Sequence, residues 1–146
     1  MDYIWKINRT KGEKMLAVDI KNAYENLSLF KVNQDKPRHL PPKMELYILR
    51  NLKNLRDAAE DIESARIEIC NRYAKKDDDG NAITDDNDSF IIENIDEFNK
   101  EITELLTSDI DVNMLLLDPD IIEDYDDDKY DTLSMDDLVK IECMIK

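Results

Sequence analysis

The chain has 146 residues, a formal net charge of −15 and 42% hydrophobic residues, enough for one domain spanning 1–146. Two glycines and four prolines are too few for the turns of a β-sandwich or barrel, so the composition predicts a mainly α fold with a minor β element (α+β). No apolar run reaches the roughly 18 residues of a membrane span, and the negative charge opposes direct contact with nucleic acid or an anionic membrane. We therefore expect a soluble, cytoplasmic protein.

The charge is distributed unevenly along the chain. Residues 1–76 contain 16 Lys and Arg against 11 Asp and Glu, whereas residues 77–131 contain 21 Asp and Glu against only Lys100 and Lys129. Such an asymmetry requires solvation, a bound metal or a basic partner. The basic residues of the first half are spread around the predicted helices. They therefore either form ordinary solvated faces or pair internally with the acidic segment.

Apolar spacing predicts the elements of the basic half. Residues 1–9 alternate weakly, as in a short strand or an extended arm, and the spacing over 13–30 predicts a helix. A loop over 33–42 contains three of the prolines. From 43 to about 75, apolar residues recur at threes and fours, which predicts a central helix about 50 Å long. Its wide apolar face indicates that an N-terminal helix and the C-terminal acidic portion pack against it. Because this helix is longer than a compact domain of this size is wide, one of its ends must project, pair with another chain or be covered by the C-terminal part.

The first part of the acidic segment is predicted to contain short elements. Residues 82–84 and 89–93 flank four polar residues and could pair as a small hairpin. Asn94, with Glu97 three residues later, predicts a capping box at the start of a third helix. Residues 110–116 then alternate between apolar and polar side chains, as in a half-buried strand.

The C-terminal part begins where Asp118-Pro119 ends this strand. Residues 123–131 are predicted to form an acidic loop. Ser134, with Asp137 three residues later, predicts a second capping box and a last short helix over 132–146. The chain shows no internal repeat at a fixed period.

One motif has the alternating oxygen ligands of a calcium loop. Asp77, Asp79 and Asn81 occupy its first, third and fifth positions. Calcium loops require a glycine at the sixth position and normally a glutamate at the twelfth, whereas this chain has Ala82 and Asp88 there. The pattern therefore favours a solvated Asp-Gly-Asn turn. Asp77, Asp79 and Asn81 are only a weak metal candidate, and no cofactor is expected.

The residues that would indicate catalysis are sparse. His39 is the only histidine and lies in the proline-containing loop, while Gly12 and Gly80 cannot supply a nucleophile elbow or a phosphate-binding loop. Cys70 and Cys143 are far apart within apolar helical patterns, which favours free thiols over a disulfide. The spacing of a zinc site is also missing. We therefore predict that the protein is not an enzyme.

The order of these elements resembles a family of small, uncharacterised proteins from phages of Gram-positive bacteria. That family has an N-terminal helix, a long central helix, a Gly-Asn turn, a third helix and a short C-terminal helix. The matching stretches cover about residues 15–146 and are 22–27 (NAYENL), 52–55 (LKNL), 62–66 (IESAR), Tyr73, 79–81 (DGN), 98–105 and 133–138. The acidic insert at 118–131 is heavier than the family pattern. The resemblance implies a phage or prophage product acting in the bacterial cytoplasm, and it transfers no functional residue.

Two functional hypotheses follow. In the first, a non-enzymatic phage-type protein binds and inhibits a basic, nucleic-acid-handling host protein, as an anti-defence inhibitor would, because its carboxylates imitate a polyanion. In the alternative, the protein is a phage morphogenesis helper that uses the long central helix as its interaction surface, with possible homo-oligomerisation. The predicted partner-binding residues of the first hypothesis are Asp118, Asp120, Glu123, Asp124, Asp126, Asp127, Asp128 and Asp131.

Overall fold

The computed structural model describes residues 9–32, 39–123 and 129–146. Helices cover more than half of these residues and two strands form a small antiparallel sheet, so the predicted mainly α fold with a minor β element is confirmed. In this described part of the chain, every helix is too short or too polar to cross a membrane. The elements are β1 (Arg9–Leu16), α1 (Ala17–Val32), α2 (Pro42–Tyr73), α3 (Ile95–Leu106), β2 (Asp109–Leu115), α4 (Pro119–Glu123), α5 (Met135–Lys140) and a 3-10 turn (Glu142–Met144).

Helix α2 is the element against which the others pack. Its 32 residues confirm the predicted central helix and, at a rise of about 1.5 Å per residue, make it about 48 Å long. Proline is accommodated in its first turn because the missing N–H would have no intrahelical acceptor there. Helices α1 and α3 and strand β2 all contact it. Its buried residues recur at helical spacing and are Met44, Tyr47, Ile48, Asn51, Leu55, Ile62 and Cys70.

The hydrophobic core lies between α1, α2, β2 and the C-terminal residues. Val112 and Met114 point inward from β2, and Ile141 and Met144 close the core from the C-terminal side. Burying one large aliphatic or aromatic side chain contributes about 1.5–3 kcal/mol, so these residues hold the two ends of the chain together. The residues that α1 buries follow the predicted helical spacing and are Ala17, Ile20, Ala23, Leu27 and Phe30.

The start of the first helix was predicted four residues too early. Residues 13–16 belong to β1, which pairs antiparallel with β2 from Arg9 opposite Leu115 to Leu16 opposite Asp109. The register shifts between Thr10 and Glu13, where the sequence contains a glycine. Pairing with β2 therefore outweighs the helical spacing of the apolar residues in this segment. Residues 1–8 of the predicted N-terminal strand lie outside the described residues.

The edge of β2 that faces away from β1 is paired by side chains of α2. The fully buried Asn51 forms two hydrogen bonds to Leu115: its Nδ2 donates to the Leu115 C=O (2.8 Å), and its Oδ1 accepts from the Leu115 N–H (2.7 Å). One turn later, Asn54 Nδ2 donates to the Asn113 C=O (2.8 Å). Alternate residues of a strand present their backbone groups to the same edge. The two amides therefore occupy the place of a neighbouring strand.

The C-terminal residues continue this pairing along the same edge. Leu117 N–H donates to the Met144 C=O (2.7 Å), and Lys146 N–H donates to the Leu117 C=O (3.0 Å). Lys146 Nζ also lies 3.1 Å from a carboxylate oxygen of Asp118. The chain end is thus fastened to the segment that follows β2.

Two predictions about helix starts had opposite outcomes. The capping box at Ser134 is confirmed, since its hydroxyl accepts the Asp137 N–H (3.1 Å) and the Asp137 carboxylate accepts the Ser134 N–H (2.9 Å). The predicted capping box at Asn94 is wrong, because Asn94 has a positive φ of 53° and its side chain makes no cap bond. The left-handed backbone that turns the chain into α3 is incompatible with the extended backbone geometry of an N-cap residue.

The predicted acidic loop is also partly wrong, because α4 extends to Glu123.

Replacing Asn51 with Leu is expected to lower the free energy of unfolding by about 2–6 kcal/mol, because both backbone groups of Leu115 lose their partner at a cost of about 1–3 kcal/mol each. Urea unfolding monitored by circular dichroism measures this loss. Asn54→Leu is the matched control, with an expected loss below about 1 kcal/mol because the Asn113 carbonyl is exposed and water can replace the amide. Equal losses for the two variants would contradict the assigned role of Asn51.

Candidate functional site

Residues 74–93, between α2 and α3, form a small structure of three extended backbone segments that we call the knob. Three hydrogen bonds close a ring at its centre. Lys75 N–H donates to the Ile91 C=O (2.7 Å), Ile91 N–H donates to the Ile83 C=O (3.2 Å), and Ile83 N–H donates to the Lys75 C=O (2.8 Å). Each segment is therefore hydrogen-bonded to both of the others, which holds the knob together with few buried side chains.

The segments of the knob repeat with a period of eight residues. The first loop is closed by Asp77 N–H donating to the Asn81 C=O (2.9 Å), and the second by Asp85 N–H donating to the Ser89 C=O (2.8 Å). In the first loop, Asp77 Oδ1 accepts the N–H groups of residues 79 and 81 at 3.0 and 2.9 Å. In the second, Asp85 Oδ1 accepts those of residues 87 and 89 at 2.9 and 3.0 Å. Both loops thus use an aspartate that bonds its own backbone, a local interaction typical of turns.

A positive φ recurs at the fourth residue of each eight-residue unit, counted from Asp77 in the first and from Asp85 in the second. Gly80 has φ = 82°, and Asp88, eight residues later, has φ = 60°. Glycine adopts the left-handed region without steric cost, and aspartate tolerates it better than most residues. A Cβ atom added at Gly80 would have no neighbour within 4 Å, so only the backbone angle restricts that position.

In place of a third loop, the knob has the end of α2 and the start of α3. Glu93 N–H donates to the Tyr73 C=O (2.8 Å), and this bond is equivalent to the backbone bond that closes each of the two loops. The Tyr73 and Phe98 rings meet edge to face with centroids 6.1 Å apart. Arg72 Nη1 lies 2.7 Å from a carboxylate oxygen of Glu101. A hydrogen bond with the same glutamate raises the pKa of Tyr73. The knob is therefore fixed to the ends of α2 and α3.

The two knob loops present a dense set of carboxylates to solvent. Residues 77–94 contain no lysine or arginine, and the aspartates of both loops are exposed. Asp77 and Asp85 each point one oxygen toward backbone N–H groups, so these two carboxylates shape the loops. The exposed acids of the two loops are Asp77, Asp78, Asp79, Asp85, Asp86 and Asp88.

The sequence-predicted partner-binding residues lie elsewhere. Asp118 is half-buried and paired with Lys146, while Asp120 is exposed on α4. Asp131 is exposed, and one of its carboxylate oxygens accepts the His39 N–H (2.8 Å). Glu123 is the last residue of α4. The remaining four, Asp124, Asp126, Asp127 and Asp128, lie outside the described residues.

The fold separates acids that are continuous in sequence. Asp131 is bound to His39, next to the first turn of α2, whereas the knob begins one residue after α2 ends. At about 1.5 Å per residue, the intervening helix places the two acidic regions on the order of 45 Å apart. The two ends of the segment 77–131 therefore lie on different parts of the surface.

A metal-binding cluster is not assembled in the described parts of the chain. Within residues 9–32, 39–123 and 129–146, no three His, Cys, Asp or Glu side chains are close enough to hold a metal ion. The weak candidate Asp77 instead bonds the backbone of its own turn, which includes Asn81. The His39 ring packs against Tyr130, with centroids 5.0 Å apart. Cys70 and Cys143 are free thiols, and burial raises the pKa of Cys143 to about 11.

Sequence reasoning missed the repeat in the knob. The signal was a spacing of eight residues, which separates Asp77 from Asp85, Gly80 from Asp88, and Ile83 from Ile91. It was obscured because only the two loops repeat in sequence, whereas helix ends take the place of a third loop.

Replacing Gly80 with Ala is expected to increase hydrogen exchange at the Ile83 and Ile91 amides about tenfold or more, because an L-residue in the left-handed region costs about 1–2 kcal/mol. Asp88→Ala should have a smaller effect, because Asp88 is already an L-residue in the left-handed region and loses only the better tolerance of aspartate for it. Asp86→Ala is the control, since Asp86 does not have a positive φ. Exchange measured by mass spectrometry that is equally fast in Asp86→Ala and Gly80→Ala would contradict the assigned strain.

Alkylation of Cys143 by iodoacetamide at pH 8 is expected to be about 100-fold slower than that of an unperturbed thiol with a pKa near 9, because only the thiolate reacts. The cause is the burial that raises its pKa to about 11. Mass spectrometry of the Cys143 peptide, with urea-unfolded protein as the control, gives the rate at each pH. A half-maximal rate near pH 9 in the folded protein would refute the shift.

Comparison with known proteins identified no relative of this chain. No family model, curated protein or solved structure matches the chain. Function is therefore inferred from the surfaces of the described residues.

Proposed function

We propose that this protein is a non-enzymatic binding protein that occupies a basic, nucleic-acid-handling protein through the exposed carboxylates of the knob. The observation that carries the proposal is the pair of equivalent Asp loops, which hold six exposed aspartates and contain no lysine or arginine over residues 77–94, although Lys75 and Lys76 precede the first loop. In line with the resemblance to small phage proteins, we propose a host defence protein as the target, which the knob inhibits in the bacterial cytoplasm.

The physical basis is competition for cationic side chains. A protein that binds DNA or RNA neutralises phosphates with Lys and Arg, and it releases counterions when it does so. Carboxylates on a preorganised surface can occupy the same cations and exclude the nucleic acid. The backbone bonds of Asp77 and Asp85 fix the loops before binding, so little conformational entropy would be lost in the complex.

Asp118 and Asp131, which lie away from the knob, contribute less in this proposal. Lys146 neutralises Asp118, and Asp131 is engaged by the backbone of His39. An acid that already has a partner must lose it before it can bind a cation of another protein. The knob aspartates at positions 78, 79, 86 and 88 are free of this cost because the loop shape is maintained by the other two.

A second candidate function is a phage morphogenesis helper that uses α2. The specific observation in its favour is the exposure of Leu46 (47%) and Leu49 (52%), which lie on the solvent side of α2. Two leucines one turn apart are a suitable anchor for another helix. In this alternative, binding would depend on apolar contact and would resist salt.

The test begins with the tagged protein in a bacterial lysate at low salt, followed by purification of the protein that it retains. We expect this partner to dissociate as salt rises, because exposed charges are screened beyond a Debye length of about 8 Å at physiological ionic strength. The partner should also bind a fluorescent DNA or RNA probe, which the present protein displaces without binding the probe itself. A partner retained equally at high salt would favour the morphogenesis alternative.

The responsible surface is identified by neutral isosteres. Changing Asp78, Asp79, Asp86 and Asp88 to Asn removes four charges, keeps the two loop-forming aspartates and is expected to slow association at least about tenfold. The control has the same charge change in the rest of the chain, at four exposed acids: Asp19→Asn, Glu25→Gln, Glu45→Gln and Glu142→Gln. A third variant changes Asp124, Asp126, Asp127 and Asp128 to Asn. If only the third variant slows association, the partner-binding surface is the sequence-predicted one and the knob proposal is wrong.

A further inference from the structure

The solvent face of α2 changes sign along its length. The charges in its first half are mainly basic and those in its second half mainly acidic, and both sets are exposed on the side away from the core. The exposed basic residues of the first half are Lys43, Arg50, Lys53 and Arg56, and the exposed acids of the second half are Asp57, Glu60, Asp61 and Glu68. One helix face thus carries two charge patches of opposite sign, divided between residues 56 and 57.

Apolar side chains lie near both ends of this face. Leu46 is 47% exposed and Leu49 52% exposed in the basic half, and Ile67 is 39% exposed in the acidic half. At 100° per residue, all three fall within about 60° of the line through Leu46, Lys53 and Ser64. Helices α1 and α3 and strand β2 contact the opposite side, where the buried residues of α2 lie.

We propose that this face binds the same face of a second copy of the chain, with the two α2 helices antiparallel and the twofold axis between residues 56 and 57. In that register Lys53 lies opposite the partner's Glu60, and Arg50 lies near the partner's Asp61. Leu46 meets the partner's Ile67, so both ends of the contact are apolar. The pattern is self-complementary, as a twofold-symmetric interface requires. A parallel pair would instead place like charges together, which disfavours it.

The arrangement has a consequence for the knob. Each knob is attached to the C-terminal end of its own α2, so antiparallel pairing places the two knobs at opposite ends of the dimer. The dimer would then present two acidic surfaces on one rigid rod and could bind two basic sites. The dimer proposal does not depend on what the knob binds.

Sedimentation equilibrium of the full chain tests the dimer directly. We expect a reversible monomer–dimer equilibrium that weakens as salt rises, because ion pairs contribute to it. Lys53→Glu and Glu60→Lys are each expected to raise the dimer dissociation constant at least about tenfold, since each places like charges opposite one another twice. Lys100→Glu, an exposed position on α3, is the matched control and should leave the constant unchanged within about threefold.

Complementation then tests the register. When Lys53→Glu chains are mixed with Glu60→Lys chains, every 53–60 contact again pairs opposite charges, so the mixture should dimerise more tightly than either variant alone. The double variant K53E/E60K should also dimerise like the unmodified chain. A monomer at every accessible concentration, a charge reversal no stronger than Lys100→Glu, or a mixture no better than its components would each overturn the proposal. Circular dichroism melts of all variants establish that a loss of dimer is not a loss of fold.

Discussion

A strand edge buried against a helix must have its N–H and C=O groups paired, and this requirement determines how α2 packs on β2. A helix cannot donate its own backbone groups, because they are used within it, so the partners must be side chains. Asn51 meets both groups of Leu115, and Asn54 continues one turn later along the same edge. Once α2 is fixed in this way, α1 can pack on its other side and the C-terminal residues can add to the edge at Leu117. The amides of Asn51 and Asn54 thus supplement the apolar core in joining α2 to β2.

The long helix also decides how the charge of the chain is used. A run of acids that is continuous in sequence would form one crowded patch if it remained local. Here the knob is attached at the end of α2, while Asp131 is fastened beside its first turn through His39. Separating like charges by most of the length of α2 lowers their mutual repulsion, since the separation greatly exceeds the Debye length. Among the described residues, Arg72 of the basic half pairs with Glu101 of the acidic segment, and this partly exposed ion pair contributes little stability.

The knob shows how a small structure can be rigid with few buried side chains. Its ring of backbone bonds joins three segments, and two of these return through loops that an aspartate closes on its own backbone. Local bonds of this kind need little apolar burial, so nearly all side chains of the loops remain available to solvent. The arm formed by Tyr73 and Glu93 transfers this rigidity to the helices. A surface intended for recognition gains from such preorganisation, because less order has to be created on binding.

The sequence by itself determined the helical class, the extent of α2, the position of β2 and the cap at Ser134, because apolar periodicity and capping are local properties. It also determined that the surface is dominated by acids. The tertiary structure alone decided that residues 13–16 form a strand, since the preference for β2 is a long-range interaction. It decided the role of Asn51, which sequence reasoning passes over as one more polar residue. It also decided that the knob and Asp131 lie at opposite ends of α2, because that placement depends on long-range contacts that no local pattern contains.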